Sequence, residues 1–270
     1  MKANKIENRG RRITVIIAAI LLIVLAVGAK FGYDSLSEVY HQQFVIHDMS
    51  TQVEITSGKM VHPATIAEVF GLKNGKNMAE IDFCSKREEI LAKIPNLRAI
   101  RVTRYLPGRL SIVAEERVPI AKINARGQKS TSGRVVDAEG MVFMCQRGTQ
   151  TLPTIFEPQA PGVHAGQYIK DRTLAALKLI EVCREPEYQE LGILAVDTSK
   201  HDFLTATLGN YSKVKILWED MDTPSIRSRR DLESRLTLLR NAIRNKITPN
   251  AVTWNATIPG KIFADTQGAL

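Results

Sequence analysis

The spacing of hydrophobic and polar positions changes several times along the chain, and each change predicts an element. From Ile13 to Ala29 the run is apolar except for Thr14 and Gly28. At ~1.5 Å per residue it reaches roughly 25 Å, close to the ~30 Å of a hydrocarbon core. Lys30 can snorkel and Phe31 and Tyr33 suit the headgroup layer. A membrane anchor over residues 13–33 is predicted. The competing reading is a cleaved signal peptide, for which Val27-Gly28-Ala29 is a passable site, although signal h-regions span only about 7–15 residues. Residues 34–42 are polar and read as a stalk.

Beyond the stalk, Phe44 to Ile46 and Val53 to Ile55 are short β-leaning pieces. Pro63 suits the first turn of a helix and Gly71 the position just past its end, with Ile66, Val69 and Phe70 as one inward stripe. Ser85-Lys86-Arg87-Glu88 fits a capping box, predicting a helix through Ile90, Leu91 and Ile94 that stops at Pro95. A hairpin follows. Ile100 and Val102 share a face, and after Leu106-Pro107-Gly108 the residues Leu110, Ile112 and Ala114 face one way against Ser111, Val113 and Glu115. The order β-α-α-β-β lets two helices cover one face of a small sheet.

The remainder is richer in strands. Residues 134–137 and 141–144 flank the turn Ala138-Glu139-Gly140. Leu152 to Pro161 carries three prolines and reads as irregular. Leu174, Leu177, Ile180 and Cys183 predict the inner stripe of a helix. Strands are expected over 193–196, 204–208, 214–218, 252–255 and 261–264. Between them Leu232, Leu236, Leu239 and Ile243 recur at helical spacing over residues 231–244. The fold class is therefore α+β: an N-terminal transmembrane helix, a small β-α-α-β-β domain, then a strand-rich antiparallel β-domain with two helices. Boundaries are expected at 1–12 for a tail, 13–33 for the anchor, 34–42 for the stalk, and 43–117 and 118–268 for the two domains.

Charge orients the anchor. Of the formal net +9, Lys2, Lys5, Arg9, Arg11 and Arg12 against Glu7 supply +4. The positive-inside rule holds that side in the cytoplasm and places the rest outside it. The remaining +5 is spread over the other residues without a dense basic stripe or interleaved aromatics, which excludes a nucleic-acid footprint. Cys84, Cys145 and Cys183 show no metal-ligand spacing and read as small buried apolar residues.

The stretch Arg104-Tyr105-Leu106-Pro107-Gly108-Arg109-Leu110-Ser111-Ile112-Val113-Ala114-Glu115-Glu116-Arg117-Val118-Pro119-Ile120-Ala121 resembles the end of the POTRA domain in the FtsQ/DivIB family of bacterial division proteins. That family's pattern Arg-x-x-Pro-x-x-Leu-x-Ile-x-x-x-Glu-Arg-x-Pro-x-Ala is filled at each fixed position. Asn77, Ile81-Asp82 and Ile94-Pro95 upstream, and Val135 to Phe143 downstream, fall in the family's order. The resemblance is specific in this half and loose after Thr154. One departure stands out: where the family's last strands carry an acidic-leucine-basic signature, this chain reads Val252-Thr253-Trp254-Asn255-Ala256.

The resemblance implies a single-pass inner-membrane scaffold at the division septum, without catalysis or cofactor, with its N-terminus cytoplasmic. Its implied partners are an FtsB/FtsL-type complex and septal peptidoglycan synthesis proteins, with no nucleic acid and no small-molecule substrate. Carried onto this chain, the docking strand and adjoining helix point to Thr253, Asn255, Lys261 and Phe263, with Arg235 and Arg240 as a charged rim and Arg101 and Arg104 as contacts in the POTRA half. The alternative is an exported transport or assembly factor whose POTRA module handles extended polypeptides. No HExxH, Gly-x-Ser-x-Gly or phosphate-loop pattern accompanies the five histidines. His47-Asp48 and His201-Asp202 read as loop surface. Glu115 and Glu116 diverge on a strand, so they make no acid/base pair. Arg227, Arg229 and Arg230 read as a solvated helix start, the alternative being a patch for an acidic partner.

Overall fold

A computed structural model of the chain describes residues 25, 27–32, 42–105, 108–127, 133–223 and 225–266. Residues 25 and 27–32 are helical. The rest of the expected tail, anchor and stalk, and the Leu106-Pro107 turn, lie outside the described residues. Among those described, no helix is long and apolar enough to cross a membrane. The chain divides into two compact units. The first takes the residues up to Thr56, Pro63–Arg87 and Arg101–Val113; the second takes Ser57–His62, Glu88–Ile100 and Ala114 onward.

In order, a one-turn helix Met49–Gln52 leads into β1 (Val53–Thr56), α1 (Pro63–Phe70), α2 (Phe83–Lys93), β2 (Leu97–Tyr105) and β3 (Arg109–Glu116). The three strands form a sheet in the order β1-β3-β2, with β1 parallel to β3. The first unit buries Ile46, Ile66, Phe70, Met78, Leu110 and Ile112. Each such side chain contributes roughly 1.5–3 kcal/mol by leaving water. The expected stop after α1 takes the form of a Schellman motif. Gly71 at φ 69° donates to the Glu68 carbonyl and Leu72 N–H to that of Ala67, both at 2.9 Å. The start of α2 differs from expectation. Asp82, not Ser85, is the cap: its carboxylate accepts from the amides of Cys84 at 3.1 Å and Ser85 at 3.2 Å. Ser85 Oγ also donates to it, and these bonds hold the exposed Asp82 below the ordinary aspartate value. An Asp-x-x-Ser start caps the helix one turn earlier, on the amides of Cys84 and Ser85. Residues 44–46 form no strand; Val45 makes one isolated bridge to Asn77.

The second unit is built on a nine-stranded sheet in the order β12-β11-β10-β9-β8-β7-β4-β5-β6. Its strands are β4 (Ala121–Asn124), β5 (Arg134–Val136), β6 (Val142–Met144), β7 (Thr154–Phe156), β8 (Ala195–Asp197), β9 (Leu204–Thr207), β10 (Lys213–Ile216), β11 (Thr253–Ala256) and β12 (Phe263–Asp265). Two helices accompany it, α3 (Asp171–Cys183) and α4 (Ile226–Arg244). The sheet is mixed, which corrects the expected antiparallel domain: β4–β7, β7–β8 and β10–β11 pair parallel. The physical reason is connectivity. α3 joins β7 to β8 and α4 joins β10 to β11, and a helical crossover returns the chain to the same end of the sheet. The proline-bearing stretch 152–161, read as irregular, contributes β7 to the middle of the sheet.

Register lines the inward residues into rows. Ile123, Ile155, Val196, Ala206, Val214, Trp254 and Ala264 lie side by side across seven strands. They share one apolar cluster with the buried residues of α3 and with Leu232, Leu236 and Leu239 of α4. α3 is buried more broadly than the expected stripe, since Ala175, Ala176, Leu179 and Val182 are inside as well. The Cys183 thiol is pushed up to about 12 by burial and secondarily by Glu185. All three cysteines are free, and Cys84 is exposed rather than buried.

One carboxylate and one guanidinium organise the start of this unit. Glu116, at the end of β3, accepts the backbone amides of Lys59, Met60 and Val61 at 2.8–2.9 Å. A Cβ on Gly58 would stand 2.1 Å from its Oε2. Next to it, Arg117 is 8% exposed and donates to Asp137 at 2.5 Å, Glu139 at 3.0 Å and the Pro95 carbonyl at 3.1 Å. Burial works against its charge, yet Asp137 and Glu139 outweigh that and raise it. Arg98 bridges Glu115 and Glu139. The bonds from Arg117 and then Arg98 lower Glu139 below the ordinary glutamate value.

Gly58→Ala is expected to displace the Glu116 carboxylate from its amides and lower stability by roughly 1–3 kcal/mol, read as a lower urea midpoint. The loss shrinks when Glu116 is already alanine. Because Glu139 is depressed in the folded state, its contribution is complete above the unfolded value and is lost as pH falls through the folded one. Glu139→Gln therefore flattens the acid limb of a stability–pH curve below about pH 4.5.

Candidate functional site at the terminal strands

The order of the large sheet ends at β12, which has a strand neighbour on one side only among the described residues. Its short ladder to β11 pairs Thr253 with Asp265, Trp254 with Ala264 and Asn255 with Phe263. Trp254 and Ala264 point to the helix-covered core, so by alternation Thr253, Asn255, Phe263 and Asp265 lie on the other face. Two polar rows cross that face. One runs Thr207, Lys213, Thr253 and Asp265; the other runs Thr205, Lys215, Asn255 and Phe263. Lys215 also sits 5.6 Å from the Phe203 ring. Phe263 is 50% exposed at the sheet margin, and Ile258 in the preceding turn is 46% exposed. Lys261 is exposed as well. The structure thus brings Thr253, Asn255 and Phe263 onto one open face. Asn255 is partly committed, since its Oδ1 accepts from Thr257 N–H at 3.0 Å and Oγ1 at 2.7 Å.

The two arginines expected as a charged rim are placed otherwise. Arg235 is 4% exposed. Its Nε and Nη2 each donate to Asp231 Oδ2 at 3.0 Å and its Nη1 to the Ala256 carbonyl at 2.9 Å. The inner stripe of α4 runs Leu232, Leu236 and Leu239, so position 235 falls on the buried side. Arg235 fastens α4 to the end of β11 instead of presenting charge. Arg240 is also engaged, donating to the Glu187 carbonyl at 3.0 Å and lying over the Tyr188 ring at 5.7 Å. Its contacts are with residues 187–190 and not with β11 or β12. In the first unit, Arg101 is exposed on β2. Arg104 donates to the Ile81 carbonyl at 3.1 Å and covers the Phe83 ring at 4.5 Å.

The other polar positions have local explanations. Asp48 caps the one-turn helix, accepting from Ser50 N–H at 3.0 Å, and its Ser50 and Thr51 bonds lower it. α4 begins five residues before the expected start, with Ser225 capping Ser228 N–H at 3.0 Å. Arg229 pairs with Glu233 and Glu185, which raise it, and Arg227 pairs with Glu219. Among the described residues no group of three or more His, Cys, Asp or Glu side chains is placed to hold a metal ion.

No family model matches the chain. A stretch of 129 residues, 47% of the chain, is 27% identical to the Cell division protein FtsQ of Rhodothermus marinus, covering 45% of that protein. A stretch of 103 residues, 38% of the chain, is 25% identical to the Cell division protein FtsQ of Corynebacterium glutamicum, covering 43% of it. These relatives support an FtsQ/DivIB-type protein. The chain matches less than half the length of either relative.

Arg235→Met keeps bulk but leaves Asp231 and the Ala256 carbonyl without their donor. With Asp231 still part-exposed, the expected cost is about 2–4 kcal/mol, seen as a lower urea midpoint. Replacing Asp231 by Leu in the same chain recovers part of it.

Proposed function

We propose that the chain is a non-catalytic scaffold of cell division, held at the inner membrane by residues 13–33 and presenting the terminal edge of its large sheet to a division partner. The similarity to two FtsQ proteins supports the division role. The β-α-α-β-β order of the smaller sheet, with β1 parallel to β3, supports reading residues 43–117 as a POTRA-type domain and 118–268 as the FtsQ-type β-domain. The N-terminus is cytoplasmic and both domains extracytoplasmic, enriched at the septum, on the strength of the charge asymmetry of the first twelve residues.

The single observation that carries the docking site is the position of β12. A terminal strand offers unpaired N–H and C=O groups, and an extended segment of a partner can add to it. Phe263 and Ile258 supply the apolar contact, and Thr253, Asn255 and Lys261 the polar surround. The occupant is a segment of an FtsB/FtsL-type complex, with septal peptidoglycan synthesis proteins recruited alongside and Arg101 available on the POTRA-type half. Confinement to one membrane raises effective concentration, so individually weak contacts suffice.

Phe263→Asp places a charge at the strand margin. It is expected to weaken binding of the full chain to an FtsB/FtsL-type complex at least tenfold, while the urea midpoint stays near that of the wild type. Cells relying on that variant should grow as filaments. Wild-type affinity and normal division in the variant would exclude β12 as the dock.

A further inference from the structure

The end of the sheet where β10 and β11 begin carries a second surface, which meets the docking site only at Thr253. There β10 and β11 begin side by side, with Lys213 paired to Thr253 and its N–H donating to the Val252 carbonyl at 2.9 Å. Tyr211, in the turn from β9 to β10, is 79% exposed at φ 64°. The turn is held by Tyr211 N–H to the Leu208 carbonyl at 2.9 Å, and by Asn210 Oδ1 accepting from Ser212 N–H and Oγ. A bulky residue in the left-handed region is uncommon, and this side chain gains nothing from the core. Ile247, just past α4, is 69% exposed, and Val252 is 47% exposed. Around them Lys213, Arg244 and Lys246 are exposed and have no ion-pair partner among the described residues.

A cleft of about 110 Å³ opens between the turn and the end of α4, lined by Leu191, Leu208, Ile243, Arg240 and Arg244 among others. Arg240 Nε is buried there without a hydrogen bond, with Glu190 Oε1 at 3.8 Å. We infer that this end of the sheet docks an acidic protein segment that seats one aliphatic side chain in the cleft between Leu208 and Ile243. Three uncompensated cations favour a carboxylate-bearing partner and steer its approach. The half-enclosed cleft selects a single side chain, a feature for which a lipid surface has no counterpart. Exposed aromatic and aliphatic residues next to the cleft supply the desolvated centre of such a contact.

The test uses the full chain in nanodiscs and two fluorescent twelve-residue peptides, each with one central leucine, one carrying four glutamates and the other four glutamines in their place. The wild type should bind the glutamate peptide at least tenfold more tightly than the glutamine peptide, with affinity falling as salt rises. Lys213→Glu with Arg244→Glu and Lys246→Glu should abolish that preference, and Tyr211→Ser with Ile247→Ser should weaken both peptides. Phe263→Asp should change neither, which separates this surface from the β12 dock. Equal binding of the two peptides, an unchanged preference in the charge-reversed variant, or peptide binding that appears only when anionic lipid is added to the nanodisc would overturn the inference.

Discussion

The buried guanidinium of Arg235 joins the last long helix to the strand that carries the edge. It donates to the Ala256 carbonyl at 2.9 Å and is neutralised by Asp231 one turn back on α4. Because β10, α4 and β11 form a crossover, β11 must run parallel to β10, and only then does β12 fold back antiparallel and end the sheet. An isolated charge would be costly in that position, so the pair has to stay intact. Everything the open edge can do depends on this attachment, since β12 itself is three residues long and its own ladder could not hold it in place.

A similar use of buried charge recurs at the other end of the second unit. Arg117 takes Asp137, Glu139 and a main-chain carbonyl, while Glu116 beside it takes three successive amides from residues 59–61. At the end of β3 and the residue after it, one carboxylate and one guanidinium secure two different segments. Several motif residues of the Glu-Glu-Arg-x-Pro stretch therefore have an explanation in packing. Glu116 is engaged by three amides, and Arg117 Nε and Nη1 by Pro95, Asp137 and Glu139.

Much of the architecture could be read in the residue pattern. Leu110, Ile112 and Ala114 alternate inward on β3 as their period predicts, and Pro63 and Gly71 bracket α1. The departures from the pattern have physical causes. The Ser85 box competes with Asp82, and an aspartate one turn earlier wins because its carboxylate reaches two amides at once. β7 was hidden because three prolines lie near it, although Thr154–Phe156 itself contains none. The parallel β7–β8 and β10–β11 pairings follow from which strands the helices connect, and local periodicity carries no information about that. Arg235 illustrates the limit for sites: an arginine on an amphipathic helix reads as surface unless its exact angular position beside Leu232 and Leu236 is weighed. Thr253, Asn255 and Phe263, singled out through the family resemblance, lie on one face because β11 and β12 pair antiparallel with a two-residue period.

Amide hydrogen exchange of the full chain with and without an FtsB/FtsL-type complex reads the β12 edge directly. Complex formation is expected to slow exchange of those Phe263–Asp265 amides that point away from β11, because a strand added at the margin would bond to them. Unchanged exchange of those amides under saturating complex would contradict docking at β12.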